Sequence, residues 1–260
     1  MTHTSSKRAL QDLGEVKSVT DFLAKIYPHV NGKSNYLFRG HRRSDWALKP
    51  AIARSGSSAA LEAEMLDEFK RRALPYIEAG STLSDADWLA IAQHHGMPTR
   101  LLDWSGSALA ALWFAVRKAP ADGQFGAVWI LRYEDAGDTD FADEGERNEP
   151  FRVRETRLIP PRHVTRRITA QEGWFSLHRR AEPGSSPAFV SLETNQRFSE
   201  RLYFVTIPSD AFGPIRVQLG MAGIGAAVLF PDLDGIAQHV TWIYQSPDDE
   251  LRTRVGWPRD

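Results

Sequence analysis

The chain has 260 residues, 42% hydrophobic and 25% charged, which is enough to bury a sizeable core and too balanced for a fibrous or disordered protein. It has no cysteine, which excludes disulfides, thiolate metal sites and a cysteine nucleophile and fits a reducing, cytoplasmic setting. The formal net charge of −1 excludes attraction of nucleic acid by bulk charge alone, and no run approaches the ~20 apolar residues of a membrane span, so no membrane partner is expected.

Residues 1–17 are polar, lack the apolar stretch of a signal peptide, and are expected as an N-terminal arm. Ser18, with Asp21 three residues on, caps a helix whose apolar face carries Phe22, Leu23 and Ile26. Residues 36–39 read as a short strand and 40–54 as an irregular arm holding Trp46 and Pro50. Leu61, Met65, Phe69 and Ala73 recur at helical spacing and predict a helix over 61–77. Ser84 opens a further helix carrying Trp88, Leu89 and Ile91, which Gly96 ends ahead of Pro98. A strand is expected over 99–103, and Ser105 or Ser107 caps a helix that runs to Val116. Residues 127–132 predict a strand and 135–150 a loop or insertion. Further strands are expected at 157–160, 174–178 and 202–207, then helices at 209–219 and 233–246, the second capped by Asp232. Turns are expected at 184–187 and 247–250.

Helices in the N-terminal half with strands mainly in the second half predict an α+β fold, the helices packed on a mixed, mainly antiparallel sheet. A single domain is expected over 18–246, with 247–260 as a C-terminal tail. Charge is segregated along the chain. Residues 134–149 are acidic and 152–180 arginine-rich, which reads as a solvated acidic loop followed by an exposed basic strand. The sharper alternative is an arginine-lined anion site, because guanidinium forks match phosphate geometry.

The commonest enzyme signatures are missing. There is no P-loop, no His-Glu-x-x-His and no Gly-x-Ser-x-Gly, and Gly223-Ile224-Gly225 lacks the third small residue of a dinucleotide fingerprint. Three polar segments carry the chemistry instead. In Phe38-Arg39-Gly40-His41, a strand-end guanidinium is followed by a residue that lets backbone approach a ligand, and His41 and Trp46 are expected to line the same cleft or pack beneath it. A phosphate or carboxylate is the natural partner of Arg39, and an ion pair with an aspartate is the structural alternative.

The second segment, 93–105, concentrates Gln93, His94, Thr99, Arg100, Asp103, Trp104 and Ser105 around a helix end, a turn and a strand. Gln93, His94 and Arg100 are ligand candidates, and Asp103 is expected to pair with Arg100 or Arg39. Adjacent histidines such as His94 and His95 rarely face the same way, so no metal site is expected. In the third segment, 167–175, Gln171 or Glu172 supplies a carboxamide or carboxylate ahead of Trp174 and Phe175, the latter expected chiefly in the core.

Taken in order, Tyr36-Leu37-Phe38-Arg39-Gly40, Gln93-His94-His95-Gly96 with 98–104, 168–173 and Phe230-Pro231-Asp232-Leu233-Asp234-Gly235 resemble the FRG domain, named for its Phe-Arg-Gly. The resemblance spans 18–242. It implies a bacterial or phage protein, in the company of phage-defence and toxin systems. A weaker similarity in the order Arg39, Ser105, then Gln171 and Glu172 is to the ADP-ribosyltransferase fold, with a neutral Gln171 where that family has a glutamate.

This similarity implies glycosidic chemistry on NAD or another nucleotide, with no permanently bound cofactor, NAD as a substrate, and a nucleic acid or protein as a possible acceptor. Catalytic candidates are Arg39, His94, Ser105, Gln171 and Glu172. Ligand-binding candidates are Phe38, Gly40, His41, Trp46, Gln93, Thr99, Arg100, Asp103, Trp104 and Phe175. The alternatives are a non-catalytic nucleotide or nucleic-acid binding module, stacking on Trp46, Trp104 and Trp174, and a metal-dependent phosphoesterase built from His94, His95, Asp232 and Asp234.

Overall fold

Capping chemistry starts several helices where the sequence places them. Ser18 Oγ accepts from the Asp21 amide at 3.0 Å and opens α1 (Val19–Ile26). Ser84 and Asp87 form a reciprocal capping box on α3 (Asp85–His94). Ser107, not Ser105, caps α4 (Ala108–Val116). Asp232 accepts from the Gly235 amide at 3.0 Å at the head of α8 (Leu233–Gln245). The remaining helices are α2 (Glu62–Ala73), α5 (Glu144–Asn148), α6 (Phe212–Met221) and α7 (Ala226–Leu229). The strands are β1 (Gln11–Glu15), β2 (Asn35–His41), β3 (Leu101–Ser105), β4 (Gly126–Tyr133), β5 (Arg157–Ile159), β6 (Gly173–Leu177) and β7 (Leu202–Ile207). This computed structural model describes residues 10–30, 35–54, 59–77, 81–121, 123–133, 140–160, 169–181 and 188–245.

The strands form one seven-stranded sheet in the order β1-β7-β4-β2-β3-β6-β5. All neighbours run antiparallel except β1 with β7. The fold is α+β, with a mixed, mainly antiparallel sheet as expected. The interior strand β4 is buried on both faces, which is why its sequence reads as an almost unbroken apolar run. Val128 and Ile130 point into a core with α1, α4 and α6. Ala127, Trp129 and Leu131 alternate into a second core with Leu48, Leu192 and Phe198. A third core seats Leu66 of α2 and Leu89 of α3 on Leu101, Phe175 and Leu177.

Three expectations are corrected. Part of the expected polar arm, Gln11–Glu15, is an edge strand: Gln11 pairs with Tyr203 of β7 and Val16 is fully buried, so the sheet begins ahead of residue 18. The acidic stretch is not a simple solvated loop over its described part. Asp140 is 6% exposed because Arg197 and Arg201 neutralise it, and Asp143 caps α5. The basic stretch after it is corrected in part: Arg157 is half-buried and paired with Glu146 and Glu155, while Arg152 pairs with Glu149 at the surface and Arg154 is exposed. The turns expected at 184–187 and 247–250 and the motif residue Ile168 lie outside the described residues. No helix among the described residues is long and apolar enough to cross a membrane.

Candidate functional site

The site arises from a split in the sheet. The register between β2 and β3 is the single pair Phe38 with Ser105, whereas β2 is laddered to β4 along its whole length. Past that pair the facing edges of 39–41 and 101–104 diverge, and backbone groups there need other partners. A cavity of about 360 Å³ occupies the divergence, a size suited to a small ligand.

Arg39 reaches across the gap and substitutes for the missing ladder. Its Nη1 donates to the Asp103 carbonyl at 2.5 Å and lies 3.6 Å from Asp103 Oδ2, while its Nε donates to His41 Nε2 at 3.0 Å. Among the described residues nothing accepts from its Nη2, which leaves that edge of the fork for a ligand. Burial lowers the Arg39 pKa, Asp103 opposes that, and Arg54 adds to the lowering. Asp103 is held in turn: Gln93 Nε2 donates to Asp103 Oδ1 at 2.6 Å, and the Thr99 hydroxyl donates to Gln93 Oε1. The Asp103 side chain nevertheless keeps 60% of its exposure, so the pair is open to the cavity and not sealed in the core.

His41 accepts at Nε2, so its proton sits on Nδ1. Burial, and next the Arg39 charge, push its pKa down to about 3. A second imidazole behaves alike. His178 is fully buried behind Ser176, which accepts from Trp104 Nε1 at 3.1 Å and sits 3.1 Å from His178 Nε2, and burial holds its pKa at about 3. Above pH about 6.5 both histidines are neutral whether the chain is folded or unfolded. As pH falls below that value the unfolded chain takes up two protons that the native state refuses until about pH 3, so stability drops across that window. Between pH 7 and pH 5 each imidazole is expected to cost about 2 kcal/mol. Denaturant unfolding at both pH values checks this, with His178→Gln reducing the loss by about half. Equal stability at pH 7 and pH 5 would contradict the assignment.

Most of the residues expected from the sequence do meet at this cavity. Arg39, Gly40, His41 and Trp46 line it with Phe38, and Gln93, His94, Asp103, Trp104 and Ser105 form the facing wall. Gln171 and Phe175 close one side. Three candidates do not line it. Arg100 is 3% exposed and locked to Glu62, with Nε 2.8 Å from Glu62 Oε2 and Nη1 donating to the Pro150 carbonyl at 3.0 Å, so it braces the interior. Thr99 is buried and works through Gln93. Glu172 is exposed at a left-handed turn (φ 46°) beside Gly106, outside the cavity wall.

Two of the residues that do line the cavity are occupied internally. The Ser105 hydroxyl donates to the Gln171 carbonyl at 2.6 Å and accepts from the Ser107 amide at 3.0 Å. The Gln171 carboxamide donates to the Leu229 carbonyl at 2.9 Å. His94, His95, Asp232 and Asp234 form no metal-ligand group, and among the described residues no three His, Asp or Glu side chains do. The phosphoesterase reading therefore finds no ligand set among the described residues.

The sequence reading missed the rest of the charge. Arg42, Arg54 and Arg117 line the same cavity, giving, among the described residues, four guanidiniums against the one carboxylate of Asp103. Phe114 and Phe230 add aromatic wall. Arg54 ends the short 3₁₀ helix Ala51–Arg54, and Arg117 is the C-cap of α4. The one signal for Arg117 was its place as the first charge after an entirely apolar helix. Such a residue is carried wherever that buried helix ends.

A family model described as the FRG domain matches residues 34–124. All four cavity arginines and Asp103 fall inside that span, while Gln171 and Phe230 reach the cavity from outside it. No curated protein and no solved structure matches the chain. The chain carries an FRG domain over the matched residues.

Proposed function

We propose that this FRG domain binds a nucleotide by its phosphates and that the cavity acts on the glycosidic bond of NAD or a related nucleotide. One observation carries the reading: among the described residues four guanidiniums face a single carboxylate in an aromatic-walled cavity, a charge balance that calls for an anionic, ring-bearing ligand. Arg39 offers the free edge of its fork to phosphate, and Trp46, Phe114 and Phe230 offer faces to a base or nicotinamide ring. Breaking the C1′–N bond of NAD leaves positive charge on the ribose as neutral nicotinamide departs with the bonding electrons. Water then forms the new C1′–O bond and releases a proton. Asp103, oriented by Gln93, is the carboxylate placed to stabilise that cation, in preference to Glu172. Loss of cellular NAD by this chemistry is what a role in phage defence or a toxin system would use.

The test is nicotinamide release from NAD, followed together with calorimetric affinity. Arg39→Gln is expected to weaken nucleotide binding about 30-fold or more, as removal of a charged anchor does. Asp103→Asn is expected to abolish release while binding persists. Full release by both variants would overturn the reading. A non-catalytic binding module is the second reading, favoured by the internal hydrogen bonds that occupy Ser105 and Gln171. Arg39-dependent binding without nicotinamide release would select it.

A further inference from the structure

The helix α4 lies directly on the backbone of Gly40: a Cβ there would stand 1.9 Å from the Ala111 carbonyl oxygen and 2.6 Å from the Ala115 nitrogen. Strand and helix leave this crossing together. Arg42 follows two residues beyond Gly40, and Arg117 two residues beyond Ala115, so both are delivered to the same rim of the cavity. Each is laid along an aromatic wall, Arg42 over Trp46 at 5.5 Å and Arg117 over Phe114 at 5.7 Å from the ring centroids. Arg117 keeps solvent contact at the rim, yet desolvation and then the Arg42 charge lower its pKa. Among the described residues no carboxylate pairs with either. Arg39, by contrast, is set at the sheet split with Asp103, and the second guanidinium that bears on it is Arg54.

Among the described residues the cavity thus holds two pairs of guanidiniums that bear on each other's charge, and only one pair has a compensating carboxylate. Two like charges kept side by side without a counter-charge are stabilised when an anion enters between them. We infer that Arg42 and Arg117 form a second anion subsite, distinct from that of Arg39 and Arg54, so that the ligand carries two linked phosphates, as in a nucleoside diphosphate or the pyrophosphate of a dinucleotide. This deepens the nucleotide reading above and rests on it.

Calorimetric titration of the full chain with AMP and with ADP at one ionic strength separates the two ideas. The unmodified protein is expected to bind ADP about 30-fold or more tighter than AMP, the gain of charge-assisted hydrogen bonds to one further phosphate. In Arg42→Gln and Arg117→Gln, each checked for an unchanged melting temperature, the ADP-to-AMP ratio is expected to fall toward one. Equal affinity for both nucleotides in the unmodified protein, or equal weakening of both in the variants, would overturn the second subsite and leave the nucleotide reading standing. Binding of neither nucleotide would overturn both.

Discussion

Gly40→Ala is expected to lose about 3 kcal/mol of stability or more, at the upper end of overpacking effects. The position looks innocuous by local criteria, since alanine costs a strand less than glycine does and the Gly40 φ is not left-handed. The cost arises across the sheet. The added carbon would overlap the Ala111 carbonyl, with Ala115 N 2.6 Å away, and both are helix backbone that no rotamer change can move. α4 would have to lift off β2, and its burial of Leu112 and Val116 would loosen with it. A chain of this size is expected to melt about 6–12 °C lower, readable by calorimetry. Gly96→Ala is the matched control. There the φ is +92° but nothing lies within 4 Å, so only backbone strain of about 1 kcal/mol is expected. A larger loss at Gly96 than at Gly40 would mean that helix–strand contact is not what this position protects.

Replacing either member of the Glu62–Arg100 pair alone is expected to cost about 3–5 kcal/mol, because the partner is left charged and dry. Both are almost fully buried, Glu62 Oε1 also accepts from the Arg100 amide at 2.6 Å, and the guanidinium lies over Phe151. The pair ties the first turn of α2 to the entrance of β3, so its loss loosens the chain that delivers Asp103. The double variant Glu62→Leu/Arg100→Met is expected to lose clearly less than the sum of the single changes, since no orphan charge remains. Strict additivity in chemical unfolding would show that the two do not act as a unit.

The parts of the fold that the sequence revealed are those set locally. Ser18, Ser84 and Asp232 cap where they stand, and β4 is legible because burial on both faces writes a continuous apolar run. The cavity was legible through residues 38–46 and 93–105 because the strand ends and helix end that aim those side chains are themselves sequence-coded. What stayed hidden is long-range. Gln11–Glu15 is polar and becomes a strand only because β7 offers a free edge. Asp140 reads as one more acid in an acidic stretch until Arg197 and Arg201 arrive from some sixty residues away. Arg100 has the look of a ligand residue in its motif, and only its partner Glu62, on another helix, makes it structural. Arg54 and Arg117 enter the cavity through the crossing of α4 over Gly40 and the parting of β2 from β3, neither of which has a local signature.

The most direct test of the whole account is a crystal structure of the protein soaked with ADP-ribose. The account predicts phosphate oxygens about 3 Å from the Arg39 guanidinium, the Asp103 carboxylate toward the ribose, and the second phosphate between Arg42 and Arg117. A ligand seated elsewhere, with Arg39 still turned wholly onto Asp103 and the gap between β2 and β3 empty, would contradict it.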